Sequence, residues 1–198
     1  MSRTATSERR RLLAAPERRA AILNAAGAAF ADHGFAGTSM DDVATECGVS
    51  RLILYRHFAT KDALYEAVLS DVAQRLSVAF AAALEDRAGQ AAVAALLSVA
   101  RSDPAGYTLL WRHARREPQF AAHAEGFRNA AVAFAQGLLE TAGLSGHRLR
   151  WSAETAVDYA VSAVQNWVDH EPRSRDQEFT ALMNASLPAM VVAWAATG

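Results

Sequence analysis

Residues 38–61 spell two short helices joined by a tight turn, and no other stretch constrains the fold as strongly. Thr38 or Ser39 is placed to cap the first helix, with Asp41 or Asp42 three residues on completing a capping box. Met40, Val43, Ala44 and Cys47 recur at helical spacing and give that helix one apolar face. Gly48 stands where a helix ends in a left-handed residue, Val49 turns back inward, and Ser50 is placed to cap the next helix. That order is the logic of a helix-turn-helix, whose second helix enters the major groove of DNA.

The second helix is read by angle. At about 100° per residue, Leu54 and Phe58 share the face that locks it into the domain. Leu52 and Arg56 fall on the opposite side, flanked by Arg51, Ile53, Tyr55 and His57. A surface mixing cations, hydroxyls and apolar atoms suits phosphates and thymine methyls. Arg51, Leu52, Ile53 and Arg56 are expected nearest the base edges. Thr38 or Ser39, with the start of the first helix, is expected against the DNA backbone.

The stretch from about Pro16 to Leu69 resembles the TetR family of bacterial transcriptional regulators. The resemblance is carried by Ala25, Phe30, Gly34, Phe35, Thr38, Ser39, Val43 and Ala44. It continues through Gly48-Val49-Ser50, Leu54-Tyr55-Arg56-His57-Phe58 and Lys61-Asp62-Ala63-Leu64-Tyr65. Family members often have small residues where this chain has Leu52 and Ile53. The resemblance implies that Ser50, Tyr55, His57 and Lys61 anchor phosphates. It also implies an all-α protein of about nine helices: a three-helix DNA-binding domain, then a larger helical ligand-binding and dimerisation domain. The expected division is a disordered basic arm at 1–14, the DNA-binding domain at 15–60 and the helical domain at 61–198.

Composition is compatible with that reading. The 198 residues are 52% hydrophobic and 21% charged, an ordinary globular balance. A net charge of -1 argues against a uniformly basic coat, but Arg3, Arg9, Arg10, Arg11, Arg18 and Arg19 crowd the N-terminus. The single cysteine, Cys47, allows no intramolecular disulfide and fits a reducing cytoplasm. The N-terminal arginines precede no apolar signal core. The apolar runs at 91–100 and 187–196 are expected to be too short to span a bilayer, so no membrane is expected.

Beyond the helix-turn-helix, glycine and proline punctuate a succession of helices. Gly34 ends helix one, Thr60 caps helix four, and Gly89 separates that helix from the next. Pro104 and Pro118 restart helices, 143–146 is a turn, Pro172 ends a long helix, and Pro188 is expected to kink the last. The two final helices are apolar enough to predict a homodimer through Val157, Val161, Val164, Trp167, Val168, Leu182, Met183, Leu187 and Met190. Aromatic residues gather between 107 and 167. They predict a pocket for a small-molecule inducer built from Tyr107, Trp111, His113, Phe127, Phe134, Tyr159 and Gln165, with Arg112 and His123 as further polar contacts.

Signs of catalysis are missing. His113 and His123 lack adjacent carboxylates or cysteines, so no metal site is expected. No Gly-rich phosphate loop or nucleophile elbow occurs. Cys47 falls on an inner helical face. The expectation is a DNA-binding regulator without a cofactor, probing double-stranded operator DNA as a dimer. The alternative is a helical adaptor whose exposed Leu52 and Ile53 meet protein. An adaptor would bind DNA without the strong salt dependence of phosphate contacts.

Overall fold

The computed structural model describes residues 15–85 and 90–196. They form nine α-helices and, among the described residues, no strand. The helices are α1 (Ala15–Gly37), α2 (Met40–Cys47), α3 (Arg51–His57), α4 (Lys61–Glu85) and α5 (Gln90–Ser102). They continue as α6 (Pro104–Thr108), α7 (Pro118–Thr141), α8 (Gly146–His170) and α9 (Asp176–Ala196). The basic arm at 1–14 and the break at Gly89 lie outside the described residues.

Local chemistry sets the helix ends. Gly34 takes φ 72° and breaks α1, and the chain makes one further turn to Gly37 before leaving the helix. The buried Thr38 hydroxyl then ties this corner down, lying 2.8 Å from the Gly34 carbonyl oxygen and 3.1 Å from that of Ala29. α6 passes into one π-helical turn, Leu109–His113, and a 3-10 turn, Ala114–Arg116. α8 begins at Gly146, the last residue of the turn expected over 143–146.

One apolar core runs from Ile22 and Phe30 in α1, through Leu54, Leu64 and Leu76, to Val164 in α8 and Met183 in α9. Aromatic rings join α1, α4 and α7. Tyr65 of α4 stacks on Phe120 of α7 at 4.3 Å and meets Phe30 and Phe35 edge-on. Burial, reinforced by the Glu117 charge, pushes the Tyr65 phenol up to about 12. A second, smaller cluster of Val132, Leu139, Leu144 and Ala153 lies at the far end.

α1, α4 and α6 meet at a polar junction. Asp103, only 6% exposed, accepts from the Gly106 N–H at 2.9 Å and pairs with Arg75 at 2.6 Å. Gly27 of α1 faces Gly106 closely enough that a Cβ on Gly27 would sit 3.6 Å from the Gly106 nitrogen. Gly106 has no room for a side chain, because a Cβ there would run into the Asp103 carboxylate and Val72.

Two of the expected dimer contacts are internal instead. Val164 and Met183 are buried in the protomer's own core. Trp167 and Val168 pack against that core, with the Trp167 ring on Phe179 and its Nε1 donating to Asp176 at 3.1 Å. Val157, Val161 and Leu187 line an internal cavity. Apolar residues at helical spacing cover the helix's own core before they meet a partner. Of the expected set, Leu182 is exposed and Met190 is half-buried.

The expectation about length also fails for the last apolar run. It belongs to a helical stretch from Arg173 to Ala196, 24 residues long, within which an 18-residue window has mean hydropathy 1.4, long and apolar enough by length and composition to cross a membrane. Only 11% of that window is buried; Leu182 is open to solvent, and Val192 is exposed while also lining the cavity.

Candidate nucleic-acid interface and effector cavity

The helix-turn-helix is assembled by its caps. Ser39 Oγ accepts from the Asp42 N–H at 3.1 Å, and Asp42 Oδ2 accepts in return from the Ser39 N–H at 2.9 Å. The Ser39 side-chain and backbone hydrogen bonds hold the Asp42 carboxyl below its usual range, so it stays charged and committed to the cap. At the other end of α2, Gly48 adopts φ 64°, and the Val49 N–H reaches back to the Ala44 carbonyl at 3.0 Å. Ser50 Oγ then accepts from the Ile53 N–H at 3.3 Å and starts α3.

α3 is held from one side only. Leu54 is fully buried and Phe58 nearly so, whereas Leu52 on the outward face is 73% exposed. Arg51, Tyr55 and Arg56 are exposed, while Ile53 and His57 are half-buried at its flanks. The outer face therefore presents two guanidinium groups and a bulky aliphatic side chain, on a helix that its inner residues prevent from rolling.

Five of the ten expected DNA contacts surround one recess of about 380 Å³ beside the α2 N-terminus. They are Thr38, Ser39, Arg51, Tyr55 and Lys61. Their availability differs. Ser39 is exposed. Thr38 is 2% exposed and its hydroxyl holds the corner, while the exposed Ser39 hydroxyl donates to Asp42 Oδ2 at 2.6 Å within the cap. Arg51 pairs with Asp41 at 3.0 Å and lies over the Tyr55 ring. Lys61 donates to the Phe35 carbonyl oxygen. Ala36 and Gly37 also line the recess. Their backbone position follows from the break at Gly34, and nothing in their side chains signals it.

A second concavity of about 520 Å³ opens among α4, α5, α7, α8 and α9. Phe80, Leu96, Trp111, Phe134, Val161 and Leu187 give its wall its bulk, and Ala92, Ala131 and Ala156 leave it space. It touches both apolar clusters and separates them. Volume and lining fall within the range of small-molecule sites.

Trp111 and Phe134 are the two expected pocket residues on this wall. The other five stand elsewhere. Tyr107 is fully buried in the core, with its hydroxyl donating to the Val161 carbonyl at 3.5 Å. Gln165 is buried between Thr108, which donates to it, and Asp169, to which it donates. Phe127 packs edge-on against Trp111, Tyr159 is 38% exposed beside Ser186, and His113 is half-buried off the wall. Arg112 and His123 are exposed. Among the described residues, no group of three or more His, Cys, Asp and Glu side chains gathers in a metal-holding arrangement.

Comparison with known proteins agrees with this geometry. The family model for bacterial regulatory proteins of the tetR family matches residues 22–68, the span from α1 into α4. The HTH-type transcriptional activator FasR of Mycolicibacterium smegmatis is 32% identical over 162 residues, covering 78% of this chain and 74% of that protein. A TetR-like regulator from Rhodococcus sp. RHA1 superposes with a TM-score of 0.74 at 22% identity, covering 91% of this chain and 98% of its own. The Bacillus subtilis regulator FadR, solved with stearoyl-CoA, superposes with a TM-score of 0.63 at 17% identity over 86% of this chain and 96% of its own.

Proposed function

The chain belongs to the TetR family and is a DNA-binding transcriptional regulator, and we propose that it acts as a homodimer whose grip on a pseudo-palindromic operator is set by a small apolar or amphipathic ligand. The observation that carries the DNA half of this reading is the one-sided anchoring of α3. Leu54 and Phe58 fix the helix while Leu52 and Arg56 face away from the protein. In this reading residues 15–60 form the DNA-reading unit and residues 61–198 the regulatory unit, with a basic arm before them, all in the cytoplasm.

Contacts divide by chemistry. Ser39, Ser50, Tyr55, His57 and Lys61 hold phosphates and set the register. Arg51, Leu52, Ile53 and Arg56 approach base edges. The exposed side of α9, with Leu182 and Val192, is the dimer face rather than a membrane span. A second copy would cover apolar surface that a monomer leaves in water. Pairing then sets the two α3 helices about one DNA turn apart, or a multiple of it.

The cavity is the effector site in this account. α4 connects it to the DNA-reading unit, because Phe80 of α4 lies in the cavity wall and packs on Phe134 at 5.4 Å. A ligand displaces α4 only to the extent that it binds the released state better than the DNA-bound state. The stearoyl chain of the ligand in the B. subtilis neighbour supports an occupant with a long apolar part. Repression, relieved by ligand, is the proposed outcome. The activator FasR shows that the same fold also serves the opposite sign.

Selection of bound sequences from a random DNA pool at near-physiological salt tests the proposal. Enrichment of a two-fold-related motif is expected. Salt-sensitive retention without any enriched motif, from protein freed of bound lipid, would overturn it.

A further inference from the structure

The cavity wall carries a hydrogen-bonding station at Asn184, and its origin is visible in the sequence. α9 runs through Pro188, which has no N–H to return to the carbonyl of Asn184 one turn earlier. Asn184 and Pro188 both line the cavity. Two other polar groups belong to lining residues: the Thr141 hydroxyl, which donates to the Leu138 carbonyl at 2.6 Å, and the Trp111 indole N–H, which is buried without a hydrogen-bond partner. The half-buried Asn184 amide has no hydrogen-bond partner among the described residues.

That station offers two N–H donors and an amide oxygen, together with a backbone carbonyl lacking its usual helical partner. A hydroxyl, which both donates and accepts, satisfies it. No Lys, Arg, His, Asp or Glu lines the cavity. A carboxylate or ammonium drawn inside would lose water without gaining a counter-charge, which is heavily unfavourable.

We propose that Asn184 is the specificity-determining residue of this cavity, and that the occupant is an uncharged hydrophobic molecule placing a hydroxyl group against Asn184 and the carbonyl freed by Pro188. The proposal rests on the reading of the cavity as the effector site, and it narrows the ligand class.

The test uses the full chain and the uncharged fluorophore N-phenyl-1-naphthylamine, displaced by 1-decanol, 1-bromodecane or decanoate at pH 8. The wild type is expected to bind the fluorophore and to release it to the alcohol well before the carboxylate. In Asn184→Leu the affinity for 1-decanol relative to 1-bromodecane should fall roughly three- to tenfold, as expected for one lost hydrogen bond. Pro188→Ala, which restores an N–H to the Asn184 carbonyl, should lower the same ratio in a protein at least as helical. Decanoate competing as well as 1-decanol, or an unchanged alcohol-to-bromide ratio in both variants, would overturn the proposal while leaving the cavity as a binding site. Failure of the fluorophore to bind at all would remove the effector-site reading and this inference with it.

Discussion

The Lys61 ammonium donates to the Phe35 carbonyl oxygen at 2.8 Å and stands 4.3 Å from the centroid of the Phe35 ring. Its position ties the first residue of α4 to the last turn of α1, beyond the break at Gly34. One of its three N–H groups is committed there, and the others remain for a phosphate. Lys61→Met is therefore expected to act twice. Urea unfolding should show a loss of about 1–3 kcal/mol, the range for a hydrogen bond from a charged group. DNA titrations should weaken on every sequence alike, with the salt slope reduced by about one. Unchanged stability would mean the tie contributes nothing. An unchanged slope would take Lys61 off the phosphate.

Gly106 and Gly27 face each other but tolerate side chains differently. A Cβ on Gly106 would overlap the Asp103 carboxylate and stand 2.5 Å from Val72 Cγ2. Gly106→Ala should destabilise by about 1–3 kcal/mol, as overpacking does. On Gly27 the nearest atoms would be 3.6 Å away, an ordinary contact. Gly27→Ala should be neutral or stabilise by up to about 1 kcal/mol through helix propensity. Equal losses in the two variants, measured by urea unfolding, would contradict this asymmetry.

Burial separates a dimer variant from a folding variant. Leu182→Glu and Val192→Glu place a charge on exposed positions, 56% and 68% accessible. Each should give a helical monomer in sedimentation and circular dichroism. Val164→Arg forces a cation into a fully buried site and should cost more than about 4 kcal/mol, losing helicity rather than only the partner. A Leu182→Glu, Val192→Glu double variant that still sediments as a dimer would place the interface elsewhere.

Arg101 fastens α9 to α5 through Asp176 at 2.7 Å. The Arg101 hydrogen bond, helped by the Trp167 N–H, holds the Asp176 carboxyl below its usual range. A carboxyl depressed in the folded state contributes stability that is complete above its unfolded pKa of about 3.9 and drains away as pH falls through the folded value. Asp176→Asn should therefore be less stable than wild type at pH 7, with the difference narrowing toward pH 3. A constant gap in urea midpoints would remove the ion pair as its cause.

The helix-turn-helix was legible because its determinants are local. Ser39, Asp42, Gly48 and Ser50 act within four residues of themselves, and Leu54 with Phe58 follows from helical period alone. The cavity was not legible for the opposite reason. Gln165 shares α8 with the cavity wall and Tyr107 lies one turn before Trp111, yet they point to Thr108 and to the core. The void arises where Ala92, Ala131 and Ala156 on three different helices fail to fill space together. Periodicity reports which face of a helix is apolar. It does not report whether facing helices fill the space between them, and for the same reason Val164 reads as interface while serving the core.

The outward face of α3 is the centre of the account, and Arg56 tests it most directly. Its guanidinium is exposed and forms no ion pair among the described residues. Binding of wild type and Arg56→Ala should be compared across a randomised DNA pool at fixed salt. The account predicts a loss of about 1–3 kcal/mol on the preferred site and relaxed preference at one position in each half-site. An equal loss on every sequence, or no loss, would contradict a base-reading α3.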